Sequence, residues 1–87
     1  MRFLVLIEYT DMEGRARTLD AHREYLAAGR ASGAVSESGP FADAKGGMYV
    51  LNVLDERAAQ SFVESDPYYR DGKLKFTVRG FTSAFEK

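Results

Sequence analysis

The chain of 87 residues contains no cysteine, no tryptophan, one histidine and two prolines. Without cysteine there is no disulfide, thiol nucleophile, thiolate metal site or thiol redox switch. One histidine leaves only carboxylates as further metal ligands. The pairs Asp11/Glu13 and Asp55/Glu56 sit where helices are expected to start, so no metal is expected. Neither sign of charge dominates: 12 Lys+Arg against 13 Asp+Glu give a net charge of −1. That lacks the basic excess of a nucleic-acid surface and the polybasic cluster of a membrane patch. No GxxxxGK or GxGxxG is present, so no phosphate-cradling loop and no nucleotide cofactor are expected. The longest early apolar run is residues 3–7, too short for a signal-peptide core or a membrane span. These absences point to a soluble cytoplasmic protein with no nucleic-acid or membrane partner and no cofactor.

What is there is an ordered small domain, with hydrophobic residues at 45% and charged residues at 29%. A chain of this size buries only about 60–65% of its unfolded surface, so its own core is marginal. With no disulfide and no metal, self-association is the expected staple.

Six elements alternate along a single domain, residues 1–87. Residues 2–9 (RFLVLIEY) carry apolar side chains on both faces, which marks a central strand. Residues 12–32 contain a helix with Asp11 or Thr18 as cap and Gly33 as its left-handed stop; Leu19, His22, Leu26 and Gly29 form its apolar stripe. Arg15, Arg17, Asp20, Arg23, Glu24 and Arg30 lie mostly off that stripe. Residues 34–38 read as a short edge strand stopped by Gly39-Pro40. A turn over 41–47 follows, with Gly46-Gly47 available for positive φ. Residues 48–53 form another strand apolar on both sides. Asp55 caps a second helix reaching about Ser65, which Pro67 ends. Residues 74–81 alternate and read as an edge strand or one with a wet face.

The order βαββαβ, with right-handed crossovers, predicts an α+β ferredoxin-like fold. It has a four-stranded antiparallel sheet in order 4-1-3-2 and two helices on one face. The two strands apolar on both sides are the two that this order makes central. The face without helices then exposes apolar side chains, and a homodimer packed sheet to sheet through that face is expected.

His22 is the chain's one side chain that titrates near neutral pH unaided, and it is a candidate general base. A lone histidine on an apolar stripe is also what an inert packed histidine looks like. Asp66, in Asp66-Pro67-Tyr68-Tyr69, is a turn-former by type. The loop that carries it can return toward the first helix, where the carboxylate would orient the His22 ring. A triad with Ser36 or Ser38 is discounted, because no nucleophile elbow or oxyanion motif surrounds either serine. Gly39-Pro40 reads instead as a rigid pocket wall.

His22 and Leu26, Gly33, Ser38-Gly39-Pro40, Gly47, Ala59 and Phe62, Asp66-Pro67-Tyr68, Gly72, Arg79 and Phe81 together resemble the YCII-related (YciI-like) family. The resemblance covers nearly the whole chain. It implies a dimeric α+β barrel and a pocket holding His22 and Asp66 as the catalytic pair. Ser38, Gly39, Pro40, Pro67 and Tyr68 would lie beside a small-molecule substrate. The family includes a lyase-type activity on chlorinated hydroxyhydroquinones, and related barrels act on small phenolic rings. This chain departs from the common pattern at Arg23, where leucine often follows the histidine, and in its short 40–47 connection. Two expectations follow: a cofactor-free lyase or isomerase using a His-Asp general base, or a non-catalytic small-molecule-binding or accessory dimer module. A cofactor-independent monooxygenase of the same barrel group ranks below both.

Overall fold

The computed structural model describes residues 1–85; the last two positions of the 1–87 domain lie outside the described residues. Its elements are β1 (Arg2–Glu8), α1 (Met12–Ser32), β2 (Val35–Pro40), β3 (Gly46–Leu51), α2 (Glu56–Glu64), α3 (Pro67–Arg70) and β4 (Lys75–Phe81). The strands form one antiparallel sheet in order β2-β3-β1-β4. This is the ferredoxin-like arrangement, with β1 and β3 central as their two apolar faces require.

Register sorts the side chains. Val5 lies opposite both Tyr49 and Val78, and Phe3 opposite Leu51, on the face that the helices cover. Phe3, Val5, Ile7, Tyr49 and Leu51 are buried there with Ala59 and Val63 of α2. Burial of each of the Phe, Val, Ile and Leu side chains among them contributes about 1.5–3 kcal/mol. Leu4 opposite Val50, and Leu6 opposite Met48, point to the other face, which no helix covers. All four are only half-buried.

α1 starts where Asp11 accepts the Gly14 N–H at 3.0 Å and stops at Gly33, whose φ is +89°. Its inward residues are Gly14, Thr18, His22 and Gly29. Leu19 and Leu26 are half-buried and flank that line. The expected stripe thus faces inward, extended toward the N-terminus by the small residues Gly14 and Thr18. This lets the helix approach the segment after α3: a Cβ on Gly14 would collide with the Gly72 carbonyl oxygen. Tyr25 adds a bond from its hydroxyl to the Phe62 carbonyl of α2 at 2.7 Å.

Three local expectations are corrected. Gly39-Pro40 does not stop the second strand, which runs through Pro40 opposite Gly47. An edge strand tolerates proline because one side of its backbone has no ladder to fill. The positive φ of the 41–47 turn falls on Ala44 (φ 61°), not on Gly46 or Gly47, which are buried in β3. Gly46 is required for closeness instead, since a Cβ there would run into the Ile7 carbonyl. Pro67 ends α2 but also begins α3, a third helix, because the first position of a helix needs no N–H donor.

If close approach is what Gly14 provides, Gly14→Ala should lower unfolding stability by about 1–3 kcal/mol in urea titration. An unchanged midpoint would show that α1 and the 71–74 segment can part without cost.

Candidate active site

The Asp66-Pro67-Tyr68 segment builds its own geometry. Proline presets the helical φ of α3 and the Asp66 side chain caps it, Oδ1 accepting the Tyr68 N–H at 2.9 Å. Asp71 and Gly72 N–H groups return to the Pro67 carbonyl at 3.0 and 2.9 Å, and Leu74 N–H to that of Tyr68 at 3.1 Å. The segment is therefore held, and the carboxylate is fixed inside it with no solvent exposure.

His22 of α1 meets that carboxylate across a sequence separation of 44 residues, with Nδ1 at 2.8 Å from Oδ1. Tyr49 of β3 donates its hydroxyl to Oδ2 at 3.1 Å. Asp66 thus receives donors from α1, β3 and its own turn. An ionised carboxylate only accepts, so Nδ1 is the donor, and in the neutral ring Nε2 is then the nitrogen that carries the lone pair. The Tyr68 ring lies flat against the imidazole, centroids 3.6 Å apart and planes within 4°. One neighbour sets the ring's rotation and the other its plane.

His22 and Tyr68 border a cavity of about 390 Å³. α1 supplies Arg15, Leu19, Arg23, Leu26, Ala27 and Arg30 to one wall, and Ser38, Gly39, Pro40, Gly47 and Met48 of the β2–β3 pair form the opposite wall. Ile7 and Tyr9 close the end. A β-bulge between Val35 and Glu37 sets the second wall. Beyond it Ser38 lies opposite Tyr49 and Pro40 opposite Gly47, which turns both toward the helix side. Such a re-aiming of side chains is the usual consequence of a bulge.

Of the residues singled out from sequence, His22, Ser38, Gly39, Pro40 and Tyr68 border this cavity, and Asp66 lies behind His22. Pro67 is not part of the lining; it acts through α3. Ser36 is turned away, its hydroxyl near the Val50 carbonyl at 3.4 Å. Sequence reasoning missed Tyr49, which reads as one more core aromatic of a central strand. It also missed Tyr9, which reads as one more apolar residue of the first strand, and the arginines of α1, which read as lying off the apolar stripe. Among the described residues no group of His, Asp and Glu is arranged to hold a metal, and no helix is long and apolar enough to cross a membrane.

Burial, and then the negative charge of Asp66, push the Tyr49 phenol far above its ordinary value, so it remains a donor. Burial also raises Tyr68, with Arg15 pulling the other way. A phenol held protonated in the fold stabilises fully below its unfolded pKa of about 10 and loses that contribution as pH rises toward the folded value. Stability should therefore fall with pH above about 10, and Tyr49→Phe should remove much of that slope. The same substitution should cost about 1–3 kcal/mol at neutral pH by leaving Oδ2 without its donor. Denaturant titrations at neutral and alkaline pH would read both effects.

No curated protein is significantly similar to the chain in sequence. Among solved structures, the chain is similar to the 5-chloro-2-hydroxyhydroquinone dehydrochlorinase TftG from Burkholderia phenoliruptrix AC1100, determined in complex with 2,5-dihydroxybenzoquinone. The two are 22% identical, the match covers 94% of each chain, and the TM-score is 0.79. That likeness establishes the shared fold. The YCII-related domain matches residues 1–82, so with the ferredoxin-like sheet and nearly the whole length accounted for, the chain belongs to the YCII-related family.

Proposed function

We propose that the protein is a cofactor-free cytoplasmic enzyme of the lyase type, in which His22 is the general base and Asp66 orients it. The observation that carries this reading is the 2.8 Å contact from Nδ1 to a fully buried carboxylate, which leaves Nε2 for whatever enters the cavity. A substrate O–H or C–H within reach of Nε2 would pass its proton to the imidazole. The electron pair left on the substrate would then expel a leaving group from the ring, which departs with its own bonding pair. No redox partner is needed for that elimination. The likeness of fold to a dehydrochlorinase supports a small hydroxylated ring as substrate. A cavity of about 390 Å³ suits a single ring.

The reading includes a dimer. Leu4, Leu6, Met48 and Val50 form a contiguous apolar strip on the helix-free face, and a second copy packed sheet to sheet would cover it.

Incubated with 5-chloro-2-hydroxyhydroquinone, the protein should release chloride. His22→Ala and Asp66→Ala should each lower kcat by about 10²–10⁴-fold with the circular dichroism spectrum retained. Full activity in both variants would remove the dyad from the mechanism. Ligand binding without turnover of any halogenated or hydroxylated ring would leave a binding module.

Sedimentation should give about twice the 9.7 kDa chain mass, and Leu6→Glu with Val50→Glu should shift the species to monomer. A stable wild-type monomer at micromolar concentration would overturn the sheet-to-sheet assembly.

A further inference from the structure

α1 turns seven residues to the cavity, and three of them are arginines: Arg15, Arg23 and Arg30. They are spaced about two helical turns apart, so they run along the cavity's length. No Asp, Glu or Lys borders it. Nor are these guanidiniums neutralised elsewhere: among the described residues the ion pairs are His22–Asp66 and Lys75–Glu8. The Arg15 guanidinium rests on the Tyr9 ring, 4.5 Å from its centroid, and its buried Nε finds no acceptor. Asp66 is fully buried and already accepts three hydrogen bonds. In a chain with more acidic than basic residues, three unpaired like charges around one hollow are not an average surface. Low-dielectric walls concentrate their field at the mouth and inside. Arg15 and Arg23 both act on the hydroxyl of Tyr68, the ring stacked on His22.

We propose that the cavity selects small ring anions, a ring bearing a carboxylate or an ionised hydroxyl, whose charged oxygens are held by Arg15, Arg23 and Arg30. This rests on the general-base reading for its purpose, because a proton taken by His22 leaves negative charge on the ring, which guanidiniums stabilise as it develops. Planar guanidinium forks match carboxylate oxygens and accommodate phenolate oxygens. Ile7, Leu19 and Leu26 offer the apolar body of the ring its contacts.

The test is equilibrium binding, independent of turnover. Two matched pairs are titrated into the purified protein at low salt: benzoate against benzamide, and 4-nitrophenolate, at a pH where it is ionised, against 4-nitroanisole. At least one anion should bind about tenfold or more tightly than its neutral partner, and added salt should shrink the difference. A preference confined to the first pair assigns a carboxylate, and one confined to the second a phenolate. Arg23→Gln with Arg30→Gln, both at exposed positions, should bring the ratio toward unity without disturbing the fold; Arg15→Gln is the third variant. His22→Gln should keep the preference. Equal affinities within both pairs, no binding by either anion, or a preference surviving loss of all three arginines would overturn the assignment. The dyad would still stand or fall by its own turnover assay.

Discussion

A buried carboxylate is tolerated only when its lone pairs are met, and removing one partner of a buried charge is among the costliest changes a fold can suffer. Asp66 meets that demand with three donors drawn from separate parts of the molecule: the His22 imidazole on α1, the Tyr49 hydroxyl on β3 and the Tyr68 N–H of its own turn. The rest of the site follows from it. α1 must lie close enough for His22 to reach in, which is why its inner face includes glycine and threonine. The segment after α2 must turn back sharply, which Pro67 enforces.

This arrangement ties stability and chemistry to the same atoms. The interactions that satisfy Asp66 also give the imidazole one tautomer and one orientation, while Tyr68 stacks on its face. In the proposed mechanism, a base held this way would lose little freedom when a substrate arrives, the general advantage of a preorganised site. Placing the base and the arginines on one rigid helix of 21 residues fixes their relative positions more closely than loops would. The opposite wall comes from an edge pair of strands, where a bulge and a proline are tolerated and where Ser38 and Pro40 can face inward.

Much of the architecture was legible because it depends on local or periodic properties. The two strands apolar on both faces are the central pair. The end of α1 agrees with the Gly33 stop and the start of α2 with the Asp55 cap, and of the two caps open for α1 the structure takes Asp11. The turn glycines were misread because Gly46 answers to the Ile7 backbone on a neighbouring strand, a non-local constraint that composition does not carry. The stripe Leu19, His22, Leu26 and Gly29 does face the core, but Gly14 and Thr18, which extend it, answer to the closeness of α1 to the segment after α3.

The site divides along the same line. By itself the sequence determined that one histidine was available, that an Asp-Pro-Tyr turn followed the second helix, and that both belonged on the same side of one sheet. Those are properties of residue type and order. Only the tertiary structure decided that imidazole and carboxylate touch, that Tyr49 completes the carboxylate's shell, and that three arginines read as lying off the apolar stripe border a cavity. Contacts across 17 and 44 residues depend on how closely helices settle on a sheet and where a bulge rotates a strand, and no local pattern encodes those distances.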